Sequence, residues 1–115
     1  MKLFILTMAA ALMLLTALPA TAQNEITAKA HEVRLSALRL PATPSGSVAF
    51  KACDTCEYTT RRVSGNTRWV LNNKTVSLAE FRAGLASVRN RSEAWVTVLH
   101  DLGSDQITRV AVTVY

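Results

Sequence analysis

The chain has only two cysteines, two histidines and four glycines among its 115 residues, and these shortages exclude several kinds of site. It has no glycine-rich phosphate-binding loop, and no motif frames a serine or cysteine nucleophile. A catalytic set can be drawn from Ser104, His100 and Asp105, but any small protein yields such a set. We therefore expect no catalytic residues and no cofactor, and we favour a non-enzymatic protein.

The N-terminus has the layout of a secretory signal peptide. Lys2 precedes an apolar run over residues 3–18, and small residues follow up to Ala22, where cleavage is expected. The run is shorter than the roughly 20 residues that span a bilayer. The sequence thus predicts a signal peptide over residues 1–22 and a single small domain over 23–115. That domain is expected to be periplasmic or secreted, with no transmembrane segment.

Basic residues outnumber acidic ones, and the formal net charge is +5. Arg61, Arg62 and Arg68 lie close in sequence and are candidate binding residues for an anionic partner. For an exported protein the available polyanions are membrane surfaces and envelope polymers, so nucleic acid is not expected. The alternative is that these arginines form ordinary solvated surface. An envelope protein is the other partner considered, with Trp69 and Trp95 as contact groups or as core residues.

The hydrophobic pattern indicates an α+β fold, with an antiparallel sheet of about five to six strands and one helix packed on one face. Ser77 and Glu80 have the spacing of a capping box, which predicts a helix over residues 78–89. Residues 31–40 fit either a strand or a helix, and strand is favoured. The other predicted strands cover residues 47–52, 57–63, 67–71, 74–76, 94–100 and 106–115.

The side chains on the two faces of the last two predicted strands indicate whether each face of the sheet is covered. The strand beginning at Ala94 has Trp95 and Leu99 on one face and valines on the other, so both faces are partly apolar. In the last strand, valines 110, 112 and 114 lie on one face, and Arg109, Ala111 and Thr113 lie on the other. The second apolar face therefore needs a cover, which residues 31–40, a curled sheet or a partner can provide.

Cys53 and Cys56 flank a predicted turn at residues 54–55. Paired thiols of an exported chain tend to form disulfides in an oxidising compartment. Closing so short a loop stabilises the folded chain by about 2 kcal/mol in the chain-entropy model. The sequence therefore favours a structural Cys53–Cys56 disulfide that bridges a bend between neighbouring strands.

Two alternatives remain for the same cysteines. As a redox pair, Cys53 would be expected at a helix N-terminus, whereas β-forming residues follow Cys56. As metal ligands, the cysteines would need two further residues to close a zinc site, and His31 and His100 complete the count. Their spacing matches no zinc-finger pattern, so this metal site, like the redox pair, is a weaker interpretation than the structural disulfide.

The block TRWVLNNKTVSLAEF, followed by AWVTVLH and ITRVAVTVY, resembles a pattern in small exported bacterial β-rich proteins of unassigned function. The resemblance covers residues 47–115. It consists of a strand, an asparagine-containing turn, a V-S-L-x-E step and two valine-rich strands. These elements are structural, so the resemblance implies no activity and transfers no functional residue.

Overall fold

A computed structural model of the protein describes residues 26–114 and shows a mixed, mostly antiparallel sheet of eight strands with one helix. The fold is therefore α+β, as predicted. The helix α1 spans Leu78–Ala86. The strands are β1 (Ala28–Arg34), β2 (Leu38–Arg39), β3 (Ser47–Phe50), β4 (Thr59–Arg62), β5 (Arg68–Leu71), β6 (Lys74–Val76), β7 (Trp95–Asp101) and β8 (Gln106–Val112). The predicted signal peptide, residues 1–22, lies outside the described residues.

Strand β8 occupies the centre of the sheet. On one side it pairs antiparallel with β7, which in turn pairs antiparallel with β1. On the other side it pairs in parallel with β4, through Gln106 and Arg62, and then with β5, from Arg68 onwards. Strands β3 and β2 extend the sheet beyond β4, and β6 pairs with β5. Strands β4 and β5 therefore follow one another along the same edge of β8.

The prediction of five to six strands, all antiparallel, was wrong in number and partly wrong in direction. Strands as short as β2, with two residues, give no periodic signal. The alternation of side chains also reports which face a residue occupies and not which strand lies beside it, so the parallel pairs were not predicted. Residues 31–40 are strand at both ends, but a 3-10 turn at Leu35–Ala37 divides them.

The helix begins where the capping box predicted and ends three residues earlier than expected. The hydroxyl of Ser77 accepts a hydrogen bond from the backbone N–H of Glu80 at 3.2 Å. At the other end, the carbonyl of Leu85 accepts hydrogen bonds from Val88 N–H and from the guanidinium of Arg91, at 3.2 and 2.8 Å. Because these groups bind the carbonyl that a further helical turn would use, the helix stops at Ala86.

The helix packs on one face of the sheet, which we call the inner face. Trp69 of β5 contacts Phe81 of α1 there, with 5.3 Å between ring centroids. The sheet also curls over this face, because His31 of β1 lies 5.0 Å from Phe50 of β3 although three strands separate them. The resulting core includes the fully buried valines at positions 33, 48, 96, 98 and 110.

The opposite, outer face carries the side chains that alternate with this core. Directly paired residues project from the same face, so the register gives the order of side chains across the sheet. One row contains Arg68, Arg109, Leu99 and Ala30, and the next contains Val70, Ala111, Thr97 and Glu32. Trp95 lies on this face and is 51% exposed, whereas Trp69 is a core residue at 4%.

Candidate functional site

Three exposed arginines lie on the outer face where β4 and β5 meet β8. Arg68 and Arg109 are direct neighbours in the parallel pair of β5 and β8. Arg62 is paired with Gln106 at the start of β8 and is also exposed. We call Arg62, Arg68 and Arg109 the arginine face.

The arginine face has no acidic partner among residues 26–114. The ion pairs within these residues lie elsewhere: Arg34 pairs with Asp54, and Arg61 pairs with Asp105. Asp105 is also contacted by His100. Like charges on neighbouring strands destabilise a sheet, typically by about 0.2–1 kcal/mol. Arg68 and Arg109 therefore carry a small stability cost that an anion bound between them would remove.

A groove of about 1040 Å³ continues the outer face beyond the arginines. Val70 and Ala111, in the row next to Arg68 and Arg109, line it. Its wall also contains polar and aromatic side chains from the ends of several elements, namely Asn73, Ser87, Arg89, Asn90, Glu93, Trp95, Thr97 and Thr113. The groove combines amides, hydroxyls, one guanidinium and one carboxylate with a large aromatic ring and several aliphatic side chains, and we call it the Trp95 groove.

The indole of Trp95 separates the groove from a smaller cleft. Trp95 lines both the groove and a cleft of about 200 Å³ that is formed with Arg34, Asp54 and Cys53. On the cleft side, the guanidinium of Arg34 stacks on the indole at 4.8 Å from the ring centroid and forms an ion pair with Asp54. Such cation–π contacts hold a ring in place at an exposed site. The indole is thus supported on one side and open towards the groove.

Arg61 does not belong to the arginine face. It pairs with the buried Val48 and lies on the inner face of β4. Its Nε atom lies 3.2 Å from Oδ1 of Asp105, and the same oxygen contacts Nε2 of His100 at 2.6 Å. The Arg61 contact is an ion pair without hydrogen-bond alignment, since Nε has no hydrogen-bond partner. Of the three predicted arginines, the structure brings Arg62 and Arg68 to one face and Arg61 to the other.

His31 and His100 meet on the inner face near Arg61. Their ring centroids are 6.4 Å apart, and Phe50 packs on His31. The pKa of His31 is lowered from its ordinary 6.5, first by desolvation and then by the positive charges of Lys29, His100 and Arg61. We call His31, His100, Asp105 and Arg61 the histidine cluster.

The alternative metal site is not assembled by this arrangement. Cys53 and Cys56 are joined to each other in a disulfide, so neither offers a thiolate. Within residues 26–114, no group of three or more histidine, cysteine, aspartate or glutamate side chains is placed to hold a metal ion. The two histidines approach one another without the other two proposed ligands.

The structure brings together only two of the three residues Ser104, His100 and Asp105, from which a catalytic set could be drawn. His100 contacts Asp105, but the hydroxyl of Ser104 donates a 2.6 Å hydrogen bond to Asp101. The hydrogen bonds from the Ser104 side chain and backbone hold the pKa of Asp101 below its ordinary value. Ser104 therefore stabilises the hairpin turn and does not face the imidazole as a nucleophile must.

The Cys53–Cys56 disulfide lies in the loop between β3 and β4, where the sequence predicted a bend between neighbouring strands. The N–H of Cys56 donates to the carbonyl of Cys53 at 3.2 Å, which closes a turn. No helix begins at Cys53, which is exposed. Tyr58, at the end of this loop, is contacted by the cations of Arg39 and Lys51 at 4.1 and 5.1 Å from its ring centroid.

Sequence reasoning did not select Arg109 as a binding residue, although it recognised that Arg109 faces away from the valines of its strand. A cluster of charges in sequence drew attention to Arg61, Arg62 and Arg68 instead. The signal that joins Arg109 to Arg68 is the parallel pairing of β8 with β5, which comes from the tertiary fold. The Trp95 groove was missed for the same reason.

Comparison of the chain with protein-family models, curated proteins and solved structures found no match. Among residues 26–114, no helix has the length and apolar character needed to cross a membrane. The function is therefore argued below from the geometry and charge of the outer face.

Proposed function

We propose that the protein is an exported, non-enzymatic binding domain of the periplasm or extracellular space. On this proposal it binds an anionic envelope component through Arg62, Arg68 and Arg109, and the Cys53–Cys56 disulfide is structural. The predicted signal peptide supports export, and a disulfide is typical of proteins from oxidising compartments.

One observation carries the proposal. Arg68 and Arg109 are neighbours on paired strands, both are exposed, and neither has an acidic partner among residues 26–114. Guanidinium groups bind carboxylate, phosphate and sulfate oxygens through two parallel hydrogen bonds, and two adjacent guanidinium groups reinforce this attraction. A bound polyanion would turn the repulsion between Arg68 and Arg109 into a favourable interaction.

Binding to a simple polyanion tests this proposal. We expect the protein to bind dextran sulfate with an affinity that falls as salt is added. The double variant Arg68→Gln, Arg109→Gln removes two charge-assisted contacts and should lower the affinity about tenfold or more. The matched control is Arg82→Gln, Lys74→Gln, which changes the net charge equally at two exposed positions outside the arginine face.

The control should bind within about twofold of the unaltered protein, because its positions do not contact the ligand. Equal loss in both double variants would mean that net charge alone attracts the polyanion. Such a result would contradict the assignment of binding to the arginine face.

The alternative function is thiol–disulfide exchange or metal handling by Cys53 and Cys56. The exposure of Cys53 favours exchange, since an attacking thiol can reach its sulfur. Intact-mass measurement after equilibration in glutathione buffers separates the two functions. A pair that stays oxidised across the glutathione range is structural, whereas reduction at a potential near that of the periplasm would support exchange.

A further inference from the structure

The lining of the Trp95 groove indicates which class of polyanion the protein binds. This inference rests on the proposed function. Arg109 lies on the outer side of β8 and Thr113 comes directly after the end of this strand, four residues on, which corresponds to about 13 Å of extended chain. The arginine face and the groove therefore form one continuous surface. A ligand that uses both must be extended and must carry an acidic group at a distance from the group that contacts Trp95.

Trp95 identifies the second group. The indole is 51% exposed on the outer face, and Arg34 holds it from the cleft side. The face of an aromatic ring carries partial negative charge, so it attracts the weakly positive C–H bonds on one face of a sugar ring. A flat ring at the side of a groove is suited to such stacking.

The remaining lining of the groove supplies hydrogen-bonding groups of both kinds. Amides donate and accept, hydroxyls do the same, and a guanidinium only donates. Sugar hydroxyls require partners of both kinds at close intervals. The groove provides Asn73 and Asn90 as amides, Thr113 as a hydroxyl and Arg89 as a cation. The hydroxyl of Thr97 already donates to Glu32, and Glu93 adds a carboxylate at the far end of the groove from the arginine face.

We propose that the anionic partner is an acidic polysaccharide, with acidic groups bound by Arg68 and Arg109 and a sugar ring stacked on Trp95. An acidic glycan fits better than a membrane surface, because a flat bilayer does not enter a groove. It fits better than an acidic peptide, because an exposed indole beside amide and hydroxyl groups matches the C–H face and the hydroxyls of a sugar ring.

The experiment compares four probes with the protein expressed from its complete coding sequence. Polygalacturonate is the acidic glycan, dextran is its neutral counterpart, polyglutamate is the acidic peptide, and phosphatidylglycerol vesicles are the anionic membrane. We expect the tightest binding to polygalacturonate and none to dextran. Replacing Trp95 by leucine should weaken polygalacturonate binding about 5- to 10-fold, whereas Trp95→Tyr should keep most of it because the ring remains.

A second variant tests the groove while leaving Trp95 in place, so that its result does not depend on whether Trp95→Leu disturbs the fold. Thr113→Asp places a negative charge in the groove at an exposed position and should also weaken polygalacturonate binding. Ser45→Asp, at an exposed position in the loop before β3, carries the same charge and should leave the affinity unchanged.

The outcomes distinguish this inference from the proposed function. Unchanged polygalacturonate binding by Trp95→Leu and Thr113→Asp, with binding lost in Arg68→Gln, Arg109→Gln, would overturn the glycan inference and leave the arginine face standing. Equal or tighter binding to polyglutamate or to vesicles would also overturn the glycan inference. Full binding of every acidic probe by Arg68→Gln, Arg109→Gln would overturn the proposed function itself.

Discussion

Arg61 and Arg62 are adjacent in sequence but lie on opposite faces of β4 and have opposite surroundings. Arg61 lies on the inner face, with its Nε atom buried and 3.2 Å from Asp105, which also binds His100. Arg62 lies exposed on the outer face, where it pairs with β8 three residues before the Arg68–Arg109 pair. The two-residue repeat of a β-strand thus divides one basic pair between two different roles.

The comparison separates a charge that stabilises the fold from charges that are available to a partner. In the histidine cluster, opposite charges and hydrogen-bonding groups of the protein itself compensate one another. On the arginine face, like charges lie side by side and compensation has to come from outside. Binding to a partner is therefore assigned to the unpaired arginines and not to the number of basic residues in the chain.

The largest expected effect concerns the loop that leads into β4 and its two arginines. Replacing Cys53 and Cys56 together by serine should lower the free energy of unfolding by about 2 kcal/mol, because the unfolded chain regains the freedom of a short loop. Urea denaturation measures this change. Polyanion binding at saturating folded protein should stay within about twofold, since the disulfide lies away from the arginine face. A loss of binding in the folded variant would contradict a purely structural disulfide.

A smaller effect is expected from a change in the histidine cluster, to which Arg61 belongs. Asp105→Asn removes the charge that Arg61 and His100 share. Because the Asp105 side chain is 71% exposed and most of the effect comes from its bond to the largely buried His100, the variant should lower the free energy of unfolding by about 0.5–1.5 kcal/mol. Asparagine tolerates the positive φ of 57° at this position, so the backbone is kept. Asp54→Asn is the control, because the Arg34–Asp54 pair is similarly exposed but has no buried third partner such as His100, and it should contribute about 0–1 kcal/mol. Equal effects from the two variants would mean that the histidine cluster is no more than a surface ion pair.

The smallest effect is a change of stability with pH at the histidine cluster. The pKa of His31 is lowered in the folded protein, so unfolded chains take up this proton at a higher pH than folded ones. Stability should therefore fall as the pH drops below 6.5, through the range down to the lowered pKa. His31→Gln should flatten this part of the pH profile, as measured by urea midpoints. An unchanged profile in that variant would assign the pH dependence to other groups.

The sequence predicted those parts of the fold that depend on neighbouring residues. The capping box located the start of the helix, and Asn72 and Asn73 both have positive φ, as a two-residue hairpin turn requires. The disulfide bridges the predicted bend. In each case the interacting groups are within a few residues of one another, so the pattern contains the interaction.

The candidate site depends on contacts that local pattern does not contain. Arg68 and Arg109 become neighbours only because β5 and β8 pair in parallel, and their separation in sequence gives no sign of this. Arg61 was grouped with Arg62 by proximity, although alternation within the predicted strand over residues 57–63 already places them on opposite faces, as β4 shows. The charge of the surface could thus be predicted, whereas its division into paired and unpaired arginines required the sheet topology.

The central claim is that Arg68 and Arg109 are kept side by side for a partner at a cost to the isolated protein. The most direct measurement is the free energy of unfolding of the unaltered protein and of Arg68→Gln, Arg109→Gln, each with and without saturating polyanion. The account predicts that the variant alone is more stable by about 0.2–1 kcal/mol and gains little from the polyanion, whereas the unaltered protein gains markedly. A variant that is less stable alone, or that gains as much as the unaltered protein, would contradict the account.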